Sequence, residues 1–384
     1  MKKIITIGGA AVAALAIATI PALSASAVTA ITQTATITAA FSYQESSAVS
    51  PDGNIQVILD KNNNKVFFAY ADSETVVQVS DPGNDFDEPW SAAFSPDGST
   101  LYVSAYSSDI IIVDVASKSV STTIPDTNPC SENQMIGLSP DGKYLAFNDD
   151  CSDTYVWDVT NNYAQVGTDF GTNDDATGIF FPNSTTAYMA EADGSIAVVD
   201  LTTGSLTNEW DGNNPSTGSC ASPDASVVAI VPDGSIADLQ FFNPATGELL
   251  GAADLGTDFA SGADCAFTGN GKVLVTDWSR TPAAMYVVNA ATYEYEETVD
   301  VDLGTVVGAN YSNSINIMAG CEAFVTGYSG NIAVMTLPSD YCPAAALPDT
   351  GASASVIGTS IALSAGLLVA GAIALIVVRR RQHS

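Results

Sequence analysis

The chain has 384 residues, with 43 acidic against 11 basic side chains and a formal net charge of −32. Such a chain repels nucleic acid and other polyanions, so no nucleic-acid partner is expected, while cations, basic partners or simple solubility suit it. Its one histidine, His383, is the penultimate residue. A folded domain upstream therefore cannot use Ser-His-Asp or Cys-His nucleophile activation, or imidazole metal ligation.

The chain opens with a short positive region, Met1-Lys2-Lys3, and an apolar run from Ile4 to about Leu23. The small-x-small step Ala25-Ser26-Ala27 follows. This three-part pattern predicts a secretory signal over residues 1–27, cut between Ala27 and Val28. A retained membrane anchor is the alternative, and the cut site directly behind the apolar run argues against it.

Residues 28–342 form one repetitive domain with a period near 44 residues. The turn Ser-Pro-Asp-Gly recurs at Ser50, Ser95 and Ser139, and looser versions start at Phe181, Ser222, Thr268 and Ile317, giving seven turns. A second marker ends the third segment of five units in Asp or Asn, at Asp114, Asp158, Asp200, Asn243 and Asn289. Segments such as Ile110-Ile111-Ile112-Val113 are β-branched and apolar on both faces, as in strands covered on both sides. Fourth segments such as Val120-Ser121-Thr122-Thr123-Ile124 are more polar and fit an outer edge. Helical periodicity is absent between the two ends of the chain.

The best repeat, LYVSAYSSDIIIVDVASKSVSTTI, resembles the YVTN family of propellers, itself similar to WD-type and lactonase-type propellers. The resemblance covers about residues 43–337. It departs in the seventh unit, where IMAG replaces the turn, and in the first, whose third segment KVFFAYADSE lacks the terminal Asp. It implies an all-β fold, a seven-bladed β-propeller. A radial array also explains how a domain of about 300 residues avoids one oversized core.

The seventh unit ends after CEAFVTGYSG and NIAVMTLPSD and lacks a fourth strand. The Thr-rich segment 34–39, within the N-terminal stretch 28–42, is expected to supply it and close the ring. Six cysteines lie in the domain, and outside a cell disulfides are the default. Blade topology places Cys130 and Cys151 on the face of the 2–3 turns and blade-to-blade links. It places Cys321 and Cys342 beside the opposite, 1–2 and 3–4, turns. Cys220 and Cys265 pair by elimination, in first strands whose registers differ by one residue.

The repeating turn aspartates are expected to bind their own turns. The links are the candidate ligand face. Three carry a polar-Asp-Phe step, at Asp85, Asp169 and Asp258, with further acids at Asp87, Glu88, Asp174, Asp175 and Asp264. Oxygen clusters of this kind suit Ca²⁺ or form a solvated acidic rim. Trp90 and Trp278 are candidate platforms for a sugar or peptide, whereas Trp157 reads as core; no catalytic residue is assigned.

A short linker, 343–346, leads to Leu347-Pro348-Asp349-Thr350-Gly351. Residues 352–384 then hold an uncharged apolar run of 23 residues, Val356 to Val378, followed by Arg379-Arg380-Arg381. As a helix the run is long enough to span a bilayer core of ~30 Å, and the arginines would hold its end in the cytoplasm. These segments resemble the Leu-Pro-x-Thr-Gly sorting signal of sortase-anchored wall proteins. The resemblance implies transient insertion through 356–378, attack of a sortase cysteine on the Thr350 carbonyl, departure of Gly351, and transfer to peptidoglycan. An ordinary single-span membrane protein is the alternative. Removal of both ends leaves 43 acids against six bases, a formal charge of −37.

The chain is thus expected on the surface of a Gram-positive-type cell wall, binding an extracellular protein, glycan or cation. The alternative is an extracellular metal-dependent hydrolase of lactonase type, requiring a carboxylate of shifted pKa deep in the channel.

Overall fold

The structure, a computed structural model, describes residues 30–342 apart from 43, 107–108, 126–132, 173, 213–214, 234–237, 260–261, 278–279, 281, 305–311 and 328–329. The signal segment 1–27, the linker 343–346, the motif 347–351 and the apolar run 356–378 lie outside the described residues. Among the described residues no helix is long and apolar enough to cross a membrane.

Seven antiparallel sheets follow one another along the chain. The second shows the pattern: Pro89–Phe94 pairs with Thr100–Ala105, then Ile110–Asp114, then Ser119–Ile124. The first strand of each sheet touches the first strand of the next, and Ser312–Met318 of the last touches Gln44–Val49 of the first. The ring is therefore closed, and the fold is a seven-bladed β-propeller.

The turn marker has a direct physical cause. The Ser95 hydroxyl donates to Asp97 Oδ1 at 2.7 Å and accepts the Thr100 amide at 2.9 Å, while Asp97 Oδ1 also accepts the Ser99 amide at 3.0 Å. The same three bonds recur at Ser139–Tyr144 and Ser222–Val227. These turns also stack around the ring. Gly98, at φ +70°, lies in ordinary contact range of Pro51 of blade 1, and Gly142, at φ +73°, lies more tightly against Pro96 of blade 2, where a Cβ would fall 3.2 Å from the ring. The third-strand marker is an Asx turn as well: Asp158 Oδ1 accepts the Thr160 amide at 2.9 Å, and Asp200 Oδ1 the Thr202 amide at 2.8 Å.

The core is seven interblade layers. Second and third strands alternate their apolar side chains between two neighbours, so Val57 and Leu59 pack toward blade 2 while Ile58 packs toward blade 7. Outer strands such as Ser119–Ile124 are half-buried to exposed throughout. Blade 3 departs from the repeat. Its outer edge is split into Ala164–Gln165 and Phe170–Gly171, both paired to Asp153–Asp158.

Closure runs through the N-terminus. Thr32–Thr38 pairs antiparallel with Asn331–Thr336, with Ile37 opposite Ile332. Its inward residues follow the period of two, and Ile37 is only 8% exposed. Past the last strand, residues 337–342 cross the face of the 1–2 turns, where the Gly269 amide donates to the Tyr341 carbonyl at 2.7 Å. A disulfide joins Cys321 to Cys342 here, and another joins Cys220 to Cys265. Cys151 is disulfide-bonded too, whereas Cys130 lies outside the described residues.

Candidate functional site

The first strands of all seven blades surround an axial cavity of about 750 Å³. Near the axis these strands crowd together and carry small residues. A Cβ on Gly218 would fall 2.3 Å from the Ala263 carbonyl oxygen, and one on Gly178 would fall 2.5 Å from Ser219 Oγ. The wall mixes hydroxyls, amides and exposed backbone with apolar side chains such as Met135, Ile179 and Phe180. Asn316 donates to Ser47 Oγ at 2.6 Å, Thr177 and Ser219 share a bond of 3.1 Å, and the Thr217 hydroxyl donates to the Gly262 carbonyl at 2.7 Å.

Asp175 and Asp264 are the carboxylates among the described lining residues. Asp264 bridges two blades: Oδ1 accepts the Cys265 amide at 2.8 Å and Oδ2 accepts the Ile315 amide at 3.2 Å. Desolvation nevertheless pushes its pKa up to about 7, against the pull of those two amides. The disulfide Cys220–Cys265 lies on the same wall, with Cα atoms 5.5 Å apart, and ties the inner strands of blades 5 and 6.

Of the acids expected in the links, Asp175 and Asp264 line this channel, but the four candidates singled out among them do not. Asp85, Asp169, Asp174 and Asp258 are all absent from its described lining. Asp169 and Asp258 are exposed. Asp169 precedes the edge strand Phe170–Gly171, so the split of blade 3 carries it to the rim. Asp85 is half-buried against Asp81, and desolvation followed by the Asp81 and Asp109 charges raises its pKa. What repeats in the polar-Asp-Phe steps is the ring. Phe86 is 1% and Phe259 6% exposed, each wedged in an interblade layer, so these steps pin links to the core.

Trp90 does line the channel, and the Lys61 ammonium sits 3.4 Å from its ring centroid, covering one face. Trp157 is core, edge-on to Phe147 at 4.7 Å. Trp278 lies outside the described residues. One trio among the described residues, Asp149, Asp150 and Cys151, has metal-like spacing. The Cys151 sulfur is held in a disulfide, and Asp149 Oδ1 already accepts the amides of Cys151 and Asp153.

The most perturbed carboxyl was not among the sequence candidates. Glu191, 0% exposed at the end of Thr186–Glu191, has its pKa raised to about 9 by burial and then by the Glu209 charge. Its signal was present, since the second strands of blades 1, 3 and 6 also end in an acid, at Asp60, Asp149 and Asp277. In sequence, such a residue is indistinguishable from the turn aspartates nearby.

Comparison with models of protein families finds none that matches this chain, and comparison with curated proteins finds no significant match.

Proposed function

We propose that the chain is a binding module displayed on a cell wall of Gram-positive type, with the propeller channel and the loops of its 2–3-turn face as its reading surface. The channel carries this reading. It is roomy, lined by hydroxyls and amides interspersed with apolar side chains, and holds the carboxylates of Asp175 and Asp264, a lining suited to holding a small polar or cationic group that also offers an apolar face. The lactonase-like alternative would need several oxygens converging on a metal or reacting atom. Asp264 has the raised pKa of an acid–base group, but both its oxygens are engaged by backbone amides.

Display rests on the ends of the chain. The order of motif 347–351, apolar run 356–378 and terminal arginines resembles a sortase sorting signal, behind a segment resembling a secretory signal. Peptidoglycan, joined through Thr350, is then the covalent partner, and sortase the enzyme that makes the link. The YVTN resemblance is in keeping with a surface-exposed propeller. The path of residues 337–342 adds an orientation: the tether leaves from the face of the Ser-Pro-Asp-Gly turns, so the opposite face points outward.

The test has two arms. Cells expressing the full chain are digested with a muralytic enzyme, and the protein is expected on peptidoglycan fragments; Thr350→Ala should shift it to the membrane fraction. The displayed protein is then screened against glycans and proteins, with and without EDTA, and Asp264→Asn is expected to weaken the hit at least several-fold. Wild-type protein recovered only from the membrane or medium would sink the anchoring, and binding untouched by channel substitutions would sink the reading surface.

A further inference from the structure

Blades 2, 3 and 4 share one arrangement at the open end of their central hairpin. The marker that ends the third strand is an aspartate, and the residue directly opposite on the second strand is Thr100, Tyr144 or Thr186. In blades 2 and 4 a register shift leaves one extra residue in the fourth strand alongside, Ser121 and Thr207. Their hydroxyls donate back to the third strand, to the Ile112 carbonyl at 3.0 Å and the Val198 carbonyl at 2.9 Å.

Blade 6 changes all three positions. Its marker is Asn289, Lys272 stands opposite, and the extra residue is Glu296, between the pairs Val288–Tyr295 and Val287–Glu297. A bulge of this kind re-aims its side chain, and here it turns a carboxylate toward the open end of the hairpin. Glu296 Oε1 accepts both the Lys272 ammonium and Asn289 Nδ2, the latter at 3.1 Å. Asn289 Oδ1 is fixed by its own Asx turn, accepting the Ala291 amide at 3.0 Å and the Thr292 amide at 3.3 Å. Facing residues of such a strand pair have Cβ atoms about 4.5–5.5 Å apart, well within the reach of a lysine. An amine, a carboxamide whose carbonyl is polarised by two amides, and a carboxylate touching both nitrogens are the parts of an acyl-transfer site. Blade 3 supplies the contrast: Lys143 lies 3.9 Å from Asp158, and a carboxylate there carries no nitrogen to leave.

We propose that Lys272 and Asn289 become joined by an intramolecular amide bond formed at this site, with Glu296 as the proton carrier. Glu296 takes one proton from the Lys272 ammonium, and the freed amine attacks Asn289 Cγ. The oxyanion that develops on Oδ1 is met by the Ala291 and Thr292 amides. Glu296 hands its proton to Nδ2, the Cγ–Nδ2 bond breaks, and ammonia leaves. Of the two hydrogens left on Nζ, one goes to solvent as a proton and one stays on the new Nζ–Cγ amide, so the balance closes without a co-reactant. The bond staples the second and third strands of blade 6 beside the strap 337–342, where Asn270 Nδ2 donates to Asp340 Oδ2 at 2.9 Å. Lys272, Asn289 and Glu296 are absent from the channel lining, so the proposal is independent of the reading surface.

The test is intact mass of the full chain, with its disulfides reduced, beside Lys272→Arg and Glu296→Gln. Arginine keeps the ion pair but stays charged and cannot attack, and glutamine cannot accept the proton, so both variants fold without forming the bond. After allowing for the substituted side chain, wild type should be lighter than either variant by about 17 Da, one ammonia. Trypsin should no longer cut wild type after Lys272, and fragmentation should find residue 272 joined to residue 289. Wild type at the full mass of its sequence overturns the proposal and leaves an ordinary ion pair. A loss of ammonia shared by wild type and both variants overturns it in favour of succinimide formation elsewhere, for which Asn270-Gly271 is the first candidate.

Discussion

The ring is held by one strand borrowed from across some 300 residues of chain, and a single truncation tests that closure. Ile37 sits opposite Ile332 and packs with Phe41, Ile58, Phe67, Phe324 and Val334 in the layer between blades 7 and 1. Ile37→Ala removes three buried carbons and leaves a gap between two faces of a sheet pair that cannot easily collapse. Core truncations of this kind cost about 2–5 kcal/mol, and a site 8% exposed at a sheet edge belongs near about 3 kcal/mol. A domain of about 300 residues has an unfolding entropy near 0.6 kcal/mol/K, so the melting temperature should fall by about 5 °C. Thr38 lies on the exposed side of the same strand, and Thr38→Ala should cost under about 0.5 kcal/mol, less than 1 °C. Calorimetry of the two variants beside wild type decides the matter. If Ile37→Ala melts with wild type, or Thr38→Ala is equally damaging, the strand is not an integral part of blade 7.

The remaining predictions concern the channel wall and the strap. Removing Cys220–Cys265, which closes 45 residues, should cost ~4 kcal/mol in the chain-entropy model, against ~3 kcal/mol for Cys321–Cys342, which closes 21. Urea titration of the two paired Cys→Ser variants checks the order, and a reversal would show that native-state packing, not loop closure, governs both bonds. Asp264 has its pKa raised from 3.8 to about 7, so the native state keeps a proton that the unfolded chain has lost. Its contribution is complete below about pH 4, declines as pH rises toward 7, and is flat beyond. Asp264→Asn should flatten stability over that interval in denaturant titrations at a series of pH values, and an unchanged slope would refute the assignment.

Blade number and turn positions were legible in the sequence, because the physics that sets them is local. A Ser-Pro-Asp-Gly turn carries its own hydrogen bonds, wherever the blade ends up. The closing strand could be read from what blade 7 lacked. Less legible was anything decided by packing between blades. The steps at Asp85, Asp169 and Asp258 look equivalent in sequence, yet Phe86 and Phe259 are core while the split edge of blade 3 leaves Phe170 half-buried. Asp264 stood among the link acids by number, but it lies within the first strand Gly262–Phe267 of its blade, with its carboxyl against the next blade's backbone.

In so acidic a protein, count alone cannot separate structural carboxylates from reactive ones. Repetition can. Asp97, Asp114, Asp158, Asp200 and Asp224 occupy repeating turns, and hydroxyls and amides of those turns hold each of them below the usual carboxylate range. A carboxylate stabilised this way has little tendency to bind a proton or a cation, since its lone pairs are already directed at donors. Asp264 and Glu191 lie outside these turns and shift the other way, because desolvation outweighs the donors each keeps. Blade 5 ends its second strand in Pro232 and blade 2 in Ala105, so a buried acid there is not required by the fold. A long, under-satisfied glutamate at that position is therefore a cost the scaffold could have avoided.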